Sequence, residues 1–217
     1  RIYEVYGYLG NDKIVNLPQY VIKNNTRYRL GKIASFAFNG NTNIEKINVV
    51  FTDYKNTEIE IDSFAFNECK NLKNINIGQI VSVGNYAFSG CTSLEEIDLQ
   101  FCKSIGCSAF EGCKSIRVFN LSSCENLSES SFADCSYVER VILSNSLKVV
   151  PNYCFSNCSS LIDIDLKNVQ IIGKYAFENC VSLETIDISN CEELAQDENE
   201  NSFIIAQHLL RLKMDVT

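Results

Sequence analysis

The sequence predicts an α/β repeat solenoid: a curved stack of about seven coils, with a parallel sheet on the concave face and short helical turns on the convex face. Three observations predict it. A small residue, a Phe, a Cys three positions on and a Leu-x-x-Ile-x-Leu run recur along the chain, complete in Ala87-Phe88-Ser89-Gly90-Cys91-Thr92-Ser93-Leu94-Glu95-Glu96-Ile97-Asp98-Leu99. The key residues Phe38, Phe66, Phe88, Phe110, Phe132, Phe155 and Phe177 are spaced by 28, 22, 22, 22, 23 and 22. Cys69, Cys91, Cys113, Cys135, Cys158 and Cys180 keep the same offset from those Phe. A fixed period of this length means stacked units, none of which buries its apolar face alone.

Each element of the unit follows from its residue types. The unit opens on an apolar position (Ile33, Ile61, Val83, Ile105, Leu127, Val150, Ile172), which therefore points inward. A short turn follows, in which Ala37, Ala65, Ala87, Ala109, Ser131, Cys154 and Ala176 are small enough to lie against the core. The next residue is the Phe. Two positions later stand Gly40, Glu68, Gly90, Gly112, Asp134, Asn157 and Asn179. All but Glu68 are types that tolerate a left-handed backbone, which predicts a helical turn closed by a left-handed cap. The strand comes last: Leu94, Ile97 and Leu99 face in while Glu96, Asp98 and Gln100 alternate outward. The turn side uses more chain per coil, which places the sheet on the concave face.

Eleven cysteines invite a disulfide or metal reading. Their spacing argues against both. The six Cys after Phe form one ladder, and Cys102, Cys124 and Cys191 form another, one thiol per coil; Cys107 and Cys154 lie outside them. Parallel side chains on strands ~4.8 Å apart rarely meet disulfide geometry. A linear ladder does not converge on a zinc ion, and no CxxC pair occurs. Buried Cys acting as a small hydrophobe with a weak S–H donor is the reading adopted, with no metal and no cofactor.

The motifs Val83-Gly84-Asn85-Tyr86-Ala87-Phe88 and Ile172-Gly173-Lys174-Tyr175-Ala176-Phe177 resemble the BspA-like leucine-rich repeat family. The likeness covers about residues 33–190 and departs from the usual Gly at Asp62, Ser128 and Pro151, and from the usual Cys at Asn41. The Tyr-rich start is similar to the β-rich cap that often precedes such repeats. The resemblance implies a non-enzymatic binding module, frequent on the surfaces of microbes and parasitic protists and linked to adhesion. It carries no catalytic residues.

The expected organisation is a β-rich cap over 1–32, repeats over 33–190, and an acidic segment with a capping helix over 191–217. Ser202 is the candidate N-cap, and Ile205, Leu209 and Leu212 recur at helical spacing. Beginning at Arg1, the chain reads as a fragment or processed form, with any leader or anchor outside it. Net charge is −8. Residues 1–33 hold six Lys/Arg against two acids, a local +4, so the remainder carries −12. That balance disfavours nucleic acid, and no run reaches the ~18 apolar residues of a membrane span. The one His, His208, falls in the terminal helix, the repeat Cys are expected buried and without such a partner, and no phosphate loop or metalloprotease motif occurs. Sequons at Asn24, Asn126 and Asn157 matter only in a secreted eukaryotic setting.

Function is therefore sought in binding. The outward face of the strands carries Asn76, Asp98, Val118, Asn120, Arg140, Ile142, Asp163, Asp165 and Asp187. Val118 and Ile142 are apolar where solvent is expected, which suggests a contact surface. The three aspartates form an acidic end. Six extra residues between the first two Phe place Phe51 and Tyr54 in a candidate binding loop. The expected ligand is a protein or glycan and the expected location extracellular or at the cell surface. The alternatives are an intracellular scaffold and the targeting domain of a larger enzyme.

Overall fold

In the computed structural model, which describes residues 1–50 and 57–194, alternate backbone N–H groups of the turns from Phe38 to Phe155 bond to the next coil. In the first full turn Phe36, Phe38 and Gly40 donate to the carbonyls of Ser63, Ala65 and Asn67, at 3.3, 2.8 and 2.7 Å. The intervening Ala37, Asn39 and Asn41 donate back to Ala34, Phe36 and Phe38 of their own coil. The same alternation repeats in the turns around Phe66, Phe88, Phe110, Phe132 and Phe155. An α-helix commits every N–H to the carbonyl four residues back and holds φ near −63° throughout. Here half the donors leave the coil and two residues per turn have positive φ, for instance Tyr86 at 56° and Gly90 at 73°. The expected helical turns are therefore successive tight turns, and no helix occurs among the described residues.

The left-handed position after each Phe is present in all seven coils, with φ of 70° at Gly40, 71° at Gly112, 59° at Asp134, 60° at Asn157 and 56° at Asn179. Glu68 adopts it as well, at 59°. Its N–H is held by Ser89 O at 2.7 Å, and its carboxylate lies over Gly90, where a Cβ would run into Oε1. Gly90 thus makes room for the one long side chain in the series.

Either side of the turns, strands stack in parallel, and the structure has two such sides where the pattern predicts one. The pre-turn side contains β1 (Ile2–Val5), β4 (Thr26–Ile33), β6 (Glu58–Ile61), β8 (Gln79–Val83), β9 (Ser104–Ile105) and β11 (Asn126–Leu127), with β3 (Tyr20–Lys23) antiparallel to β4. It resumes in β13 (Val149–Val150), β15 (Ile171–Ile172) and β16 (Glu193–Leu194). The lateral side contains β2 (Ile14–Pro18), β5 (Lys46–Val50) and β7 (Asn74–Asn76), then β10 (Val118–Leu121), β12 (Arg140–Leu143) and β14 (Asp163–Ile164). A single bridge, Asn74 to Glu96, follows β7 in the coil between them. The strands are short because each coil leaves the ladder for its turn after a few residues.

The first 18 residues copy the coil plan in abbreviated form. β1 pairs parallel with β4 and β2 with β5, and Tyr8 donates to Ala37 O at 3.0 Å as each Phe does to the following coil. The Tyr8 ring lies 5.7 Å from Phe38, and Tyr3 OH bonds Pro18 O, joining the two strands.

The interior is a column of phenyl rings. Phe38, Phe66, Phe88, Phe110, Phe132, Phe155 and Phe177 are all buried, with successive centroids 5.0–5.6 Å apart and planes within 15°. That spacing matches the strand repeat, so backbone ladder and ring column share one rise. Parallel rings at 5 Å are offset-stacked, the arrangement aromatic quadrupoles favour. Phe119, tilted 57° against Phe110 and Phe132, thickens the column at mid-stack.

The thiols lock coil to coil. Each Cys of the first ladder donates its S–H to the key Phe carbonyl of the preceding coil: Cys69 to Phe38, Cys91 to Phe66, Cys113 to Phe88, Cys135 to Phe110, Cys158 to Phe132 and Cys180 to Phe155, at 3.0–3.2 Å. That carbonyl already accepts an N–H from its own turn, so the thiol fills its second lone pair. All eleven cysteines are free, nine of them buried, with Cys107 and Cys191 half-buried. Burial pushes the Cys69, Cys102 and Cys180 thiols up from 9.0 to about 12 and Cys124 to about 11. Cys91, Cys113, Cys135, Cys154 and Cys158 are raised by the same cause.

Two outcomes follow. Phe110→Ala removes a central ring and is expected to lower unfolding free energy by ~3–5 kcal/mol in urea titration; a loss under ~1 kcal/mol contradicts its place in the column. For the thiols, a native pKa raised above the unfolded value keeps the proton on the folded chain. Their stabilisation is complete below pH 9 and drains away as pH rises from 9 towards 12. The melting temperature should therefore hold steady near neutrality and fall steeply above pH 9, and a flat profile to pH 11 contradicts buried, protonated ladders.

Candidate functional site

The outward positions of the lateral strands fall into two patches. In the first, the register sets Val118 opposite Arg140 and Arg140 opposite Asp163, with Asn120 opposite Ile142 one step along. Strand alternation aims these side chains away from the core, whose facing residues Phe119 and Val141 are buried. Val118 is 49 % exposed and Ile142 43 %, diagonal neighbours on adjacent strands. The Arg140 guanidinium meets the Asp163 carboxylate at 3.1 Å beside them. Both charges are more than half exposed, so the pair adds at most ~1 kcal/mol to stability. Its larger effect is to fix a polar rim around the apolar pair.

Tyr137 and Ile162 are exposed as well, just before β12 and β14. The expectation from sequence omits them, although a signal existed. Tyr137 stands where other coils have Ser93, Ser115, Ser160 or Ser182, and Ile162 where they have Glu95, Arg117, Glu139 or Glu184.

The second patch lies where the lateral ladder thins to its single bridge. A depression of about 460 Å³ is lined by Lys46, Asn74, Asn76, Glu96, Ile97 and Asp98, with Asn74 donating to Glu96 at 2.6 Å. Asn76 and Asp98 meet here, away from Val118 and Ile142.

Several polar residues on this face have structural work that the sequence reading did not anticipate. Asp98 accepts from Gln100 N, Asn120 from Ser122 N, Asp165 from Lys167 N and Asp187 from Ser189 N, at 2.9–3.2 Å. These two-residue loops bend the chain out of the strand. Where Ile142 replaces the polar residue, the side-chain-to-backbone loop lies two residues later, with Ser144 Oγ accepting from Ser146 N. The expected acidic end is likewise partnered. Asp163 pairs with Arg140, and the Lys167 N–H and ammonium hold the Asp165 carboxyl below its ordinary value. Phe51, Tyr54 and the terminal segment with His208 lie outside the described residues. Among the described residues no cluster of His, Cys, Asp or Glu converges to hold a metal, and no helix is long and apolar enough to cross a membrane.

Parallel strands on two sides, turns on the third and a continuous ring column define a repeat solenoid whose variable residues face outward. The repeats place it more narrowly. The model of the BspA type leucine rich repeat region matches residues 13–135 and 83–205 in six copies, and the chain belongs to that family. A leucine-rich repeat protein from Bacteroides ovatus is similar in structure, with TM-score 0.75 and 31 % identity over 89 % of this chain and 50 % of its own. This chain thus spans half the length of that protein. A leucine-rich repeat protein of T. pallidum has TM-score 0.71 and 23 % identity, over 83 % of this chain and 82 % of its own. Comparison with curated proteins gave no match.

Proposed function

We propose that this chain is a non-enzymatic recognition module that presents its lateral sheet face to a protein partner in an adhesive or interaction role at a cell surface. One observation carries the reading: Val118 and Ile142 lie exposed as diagonal neighbours on adjacent strands, at positions that polar residues occupy in the other coils. Burying such a pair on a partner removes apolar surface from water at about 25 cal/mol per Å², while Arg140, Asn120 and Asp163 supply direction at the rim. The Asn76–Asp98 depression and the loop with Phe51 and Tyr54 belong to the same proposal as outlying contacts. Residues 1–32 and 191–217 are proposed to close the two ends of the stack.

Family membership supports interaction over catalysis, because a leucine-rich repeat offers a rigid face and no inherited reactive group. An oxidising exterior is compatible with eleven thiols when nine are buried and their pKa values are raised. Thiolate is the reactive species, and these groups stay protonated at neutral pH.

Ile142→Asp tests the face. The substitution sits at an exposed position, so thermal unfolding should shift little, within about ±0.5 kcal/mol. Proteins retained from a cell-surface extract by the immobilised wild-type chain should be lost from the variant. Retention by both forms contradicts the chosen face, and severe unfolding contradicts the strand orientation.

A further inference from the structure

One row of side chains, at the entry to the lateral strands, alternates in charge from coil to coil and then breaks. Lys13, Glu45, Lys73, Glu95, Arg117 and Glu139 follow one another with opposite signs. Backbone bonds show that these positions adjoin. The Glu45 N–H donates to Lys13 O at 2.7 Å, the Lys73 N–H to Glu45 O at 2.8 Å, the Glu95 N–H to Lys73 O at 3.0 Å and the Glu139 N–H to Arg117 O at 2.8 Å. Their side chains lie alongside one another as well. Lys13 and Lys73 take the two oxygens of Glu45 at 2.7 and 3.4 Å, and Arg117 pairs with Glu139. Opposite charges on adjoining strands attract and like charges repel, so this order is the favourable one.

The next coil is due a cation and supplies Ile162, whose N–H continues the row by donating to Glu139 O at 3.0 Å. Its side chain is 60 % exposed. After it comes Glu184, also exposed. Glu139 therefore has a cation on one side only, and Glu184 has none in the coil before it. Among the described residues no ion pair holds Glu184. The nearby aspartates are already engaged, Asp163 by Arg140 and Asp165 by Lys167. Ile162 is shorter than a Lys or Arg, so it leaves a gap with an apolar floor. The carboxylates on either side belong to coils two rises, or roughly 10 Å, apart.

The gap borders the lateral patch. Ile162 directly precedes Asp163, the partner of Arg140, and stands one coil across and three residues along from Ile142. That offset is about 11 Å, or about three residues of extended chain.

We propose that the protein partner offers a Lys or Arg to this gap, with its alkyl stem on Ile162 and its charge between Glu139 and Glu184. The same extended segment carries, about three residues away, the apolar side chain that covers Val118 and Ile142. The proposal rests on the lateral-face reading above and names the chemistry of the segment that docks there. Charge complementarity selects the cation. A carboxylate in the gap would face two others, and an apolar residue would cover Ile162 while leaving Glu184 unpaired. An apolar stem with a charged head suits both the floor and its flanks. Both carboxylates stay in contact with water, so the contact supplies selectivity more than affinity.

The test uses the whole chain and an end-capped, dye-labelled peptide, Thr-Leu-Thr-Thr-Arg-Thr, whose threonines favour extended backbone. Versions with Gln or Glu for Arg, and with Ala for Leu, serve as comparisons, and binding is read by fluorescence polarisation. The Arg peptide should bind about tenfold more tightly than the Gln peptide at low salt. The Glu peptide should be the weakest, and the preference should shrink as salt screens the exposed charges. Ile162→Lys completes the row with the chain's own cation. It should keep or raise the melting temperature and abolish the preference for Arg over Gln. Glu184→Gln should also abolish that preference, and it carries the binding test if Ile162→Lys fails to fold. Ile142→Asp should weaken the Arg and Gln peptides alike, which reports on the lateral face itself. If the Arg and Gln peptides bind equally and Ile142→Asp weakens both, the cation gap is overturned and the lateral face stands. An Arg preference that survives Ile162→Lys and Glu184→Gln, or no peptide bound at millimolar concentration, also overturns the proposal.

Discussion

The structure depends on how each turn divides its backbone donors. Alternate N–H groups bond within the coil and the others bond to the next one, a division that a helix does not allow. The inter-coil donors make the turn a third ladder beside the two strand ladders. Everything inside must then repeat at the same rise. Phenyl rings fit that condition, since offset stacking at about 5 Å matches the strand spacing. The thiols fit it too, because a short side chain reaches the Phe carbonyl one coil back without displacing the N–H already there. An Ala at the Cys position leaves that lone pair unfilled. The repeated motif is thus the chemical record of one geometric requirement.

That requirement leaves the outward positions free. On the lateral face the polar residue at mid-strand often bends the chain back through a two-residue loop, and it is released from this duty where Ile142 stands. On the turn ridge the left-handed positions tolerate Gly, Asn, Asp, Glu, Ser, Phe and Tyr alike, because three ladders impose the backbone whatever the side chain. Surface chemistry can therefore change coil by coil with little effect on the fold, which suits a recognition scaffold.

The period, the aromatic ladder, the buried Cys ladder and the inward strand positions were legible because each is a repeated side-chain type with one physical use. The left-handed site after Phe was legible from its Gly, Asn and Asp members, and Glu68 follows the same backbone because Gly90 makes room for it. Three features were not legible. The kind of turn is one, because a small residue, a Phe and a left-handed cap fit a helix end and a run of tight turns equally well; only the hydrogen-bond pattern separates the two. The pre-turn sheet is hard to read because four of its later strands are two residues long, too short to show alternation. The left-handed site before Phe was hidden because Phe and Tyr occupy it against their own preference. For the lateral face, the placement of Val118 and Ile142 outward followed from strand alternation. The local hydrogen bonds of Asp98, Asn120, Asp165 and Asp187 did not, since a polar residue on a strand looks the same whether it faces a ligand or its own backbone.

Amide hydrogen exchange resolved by residue tests the division of donors most directly. The account predicts that Gly90, Gly112, Phe88 and Phe110 exchange as slowly as strand amides such as Phe119, although the two glycines lie on the outer ridge. Exchange of the glycine amides at the rate of open loops would contradict the inter-coil ladder on which the architecture rests.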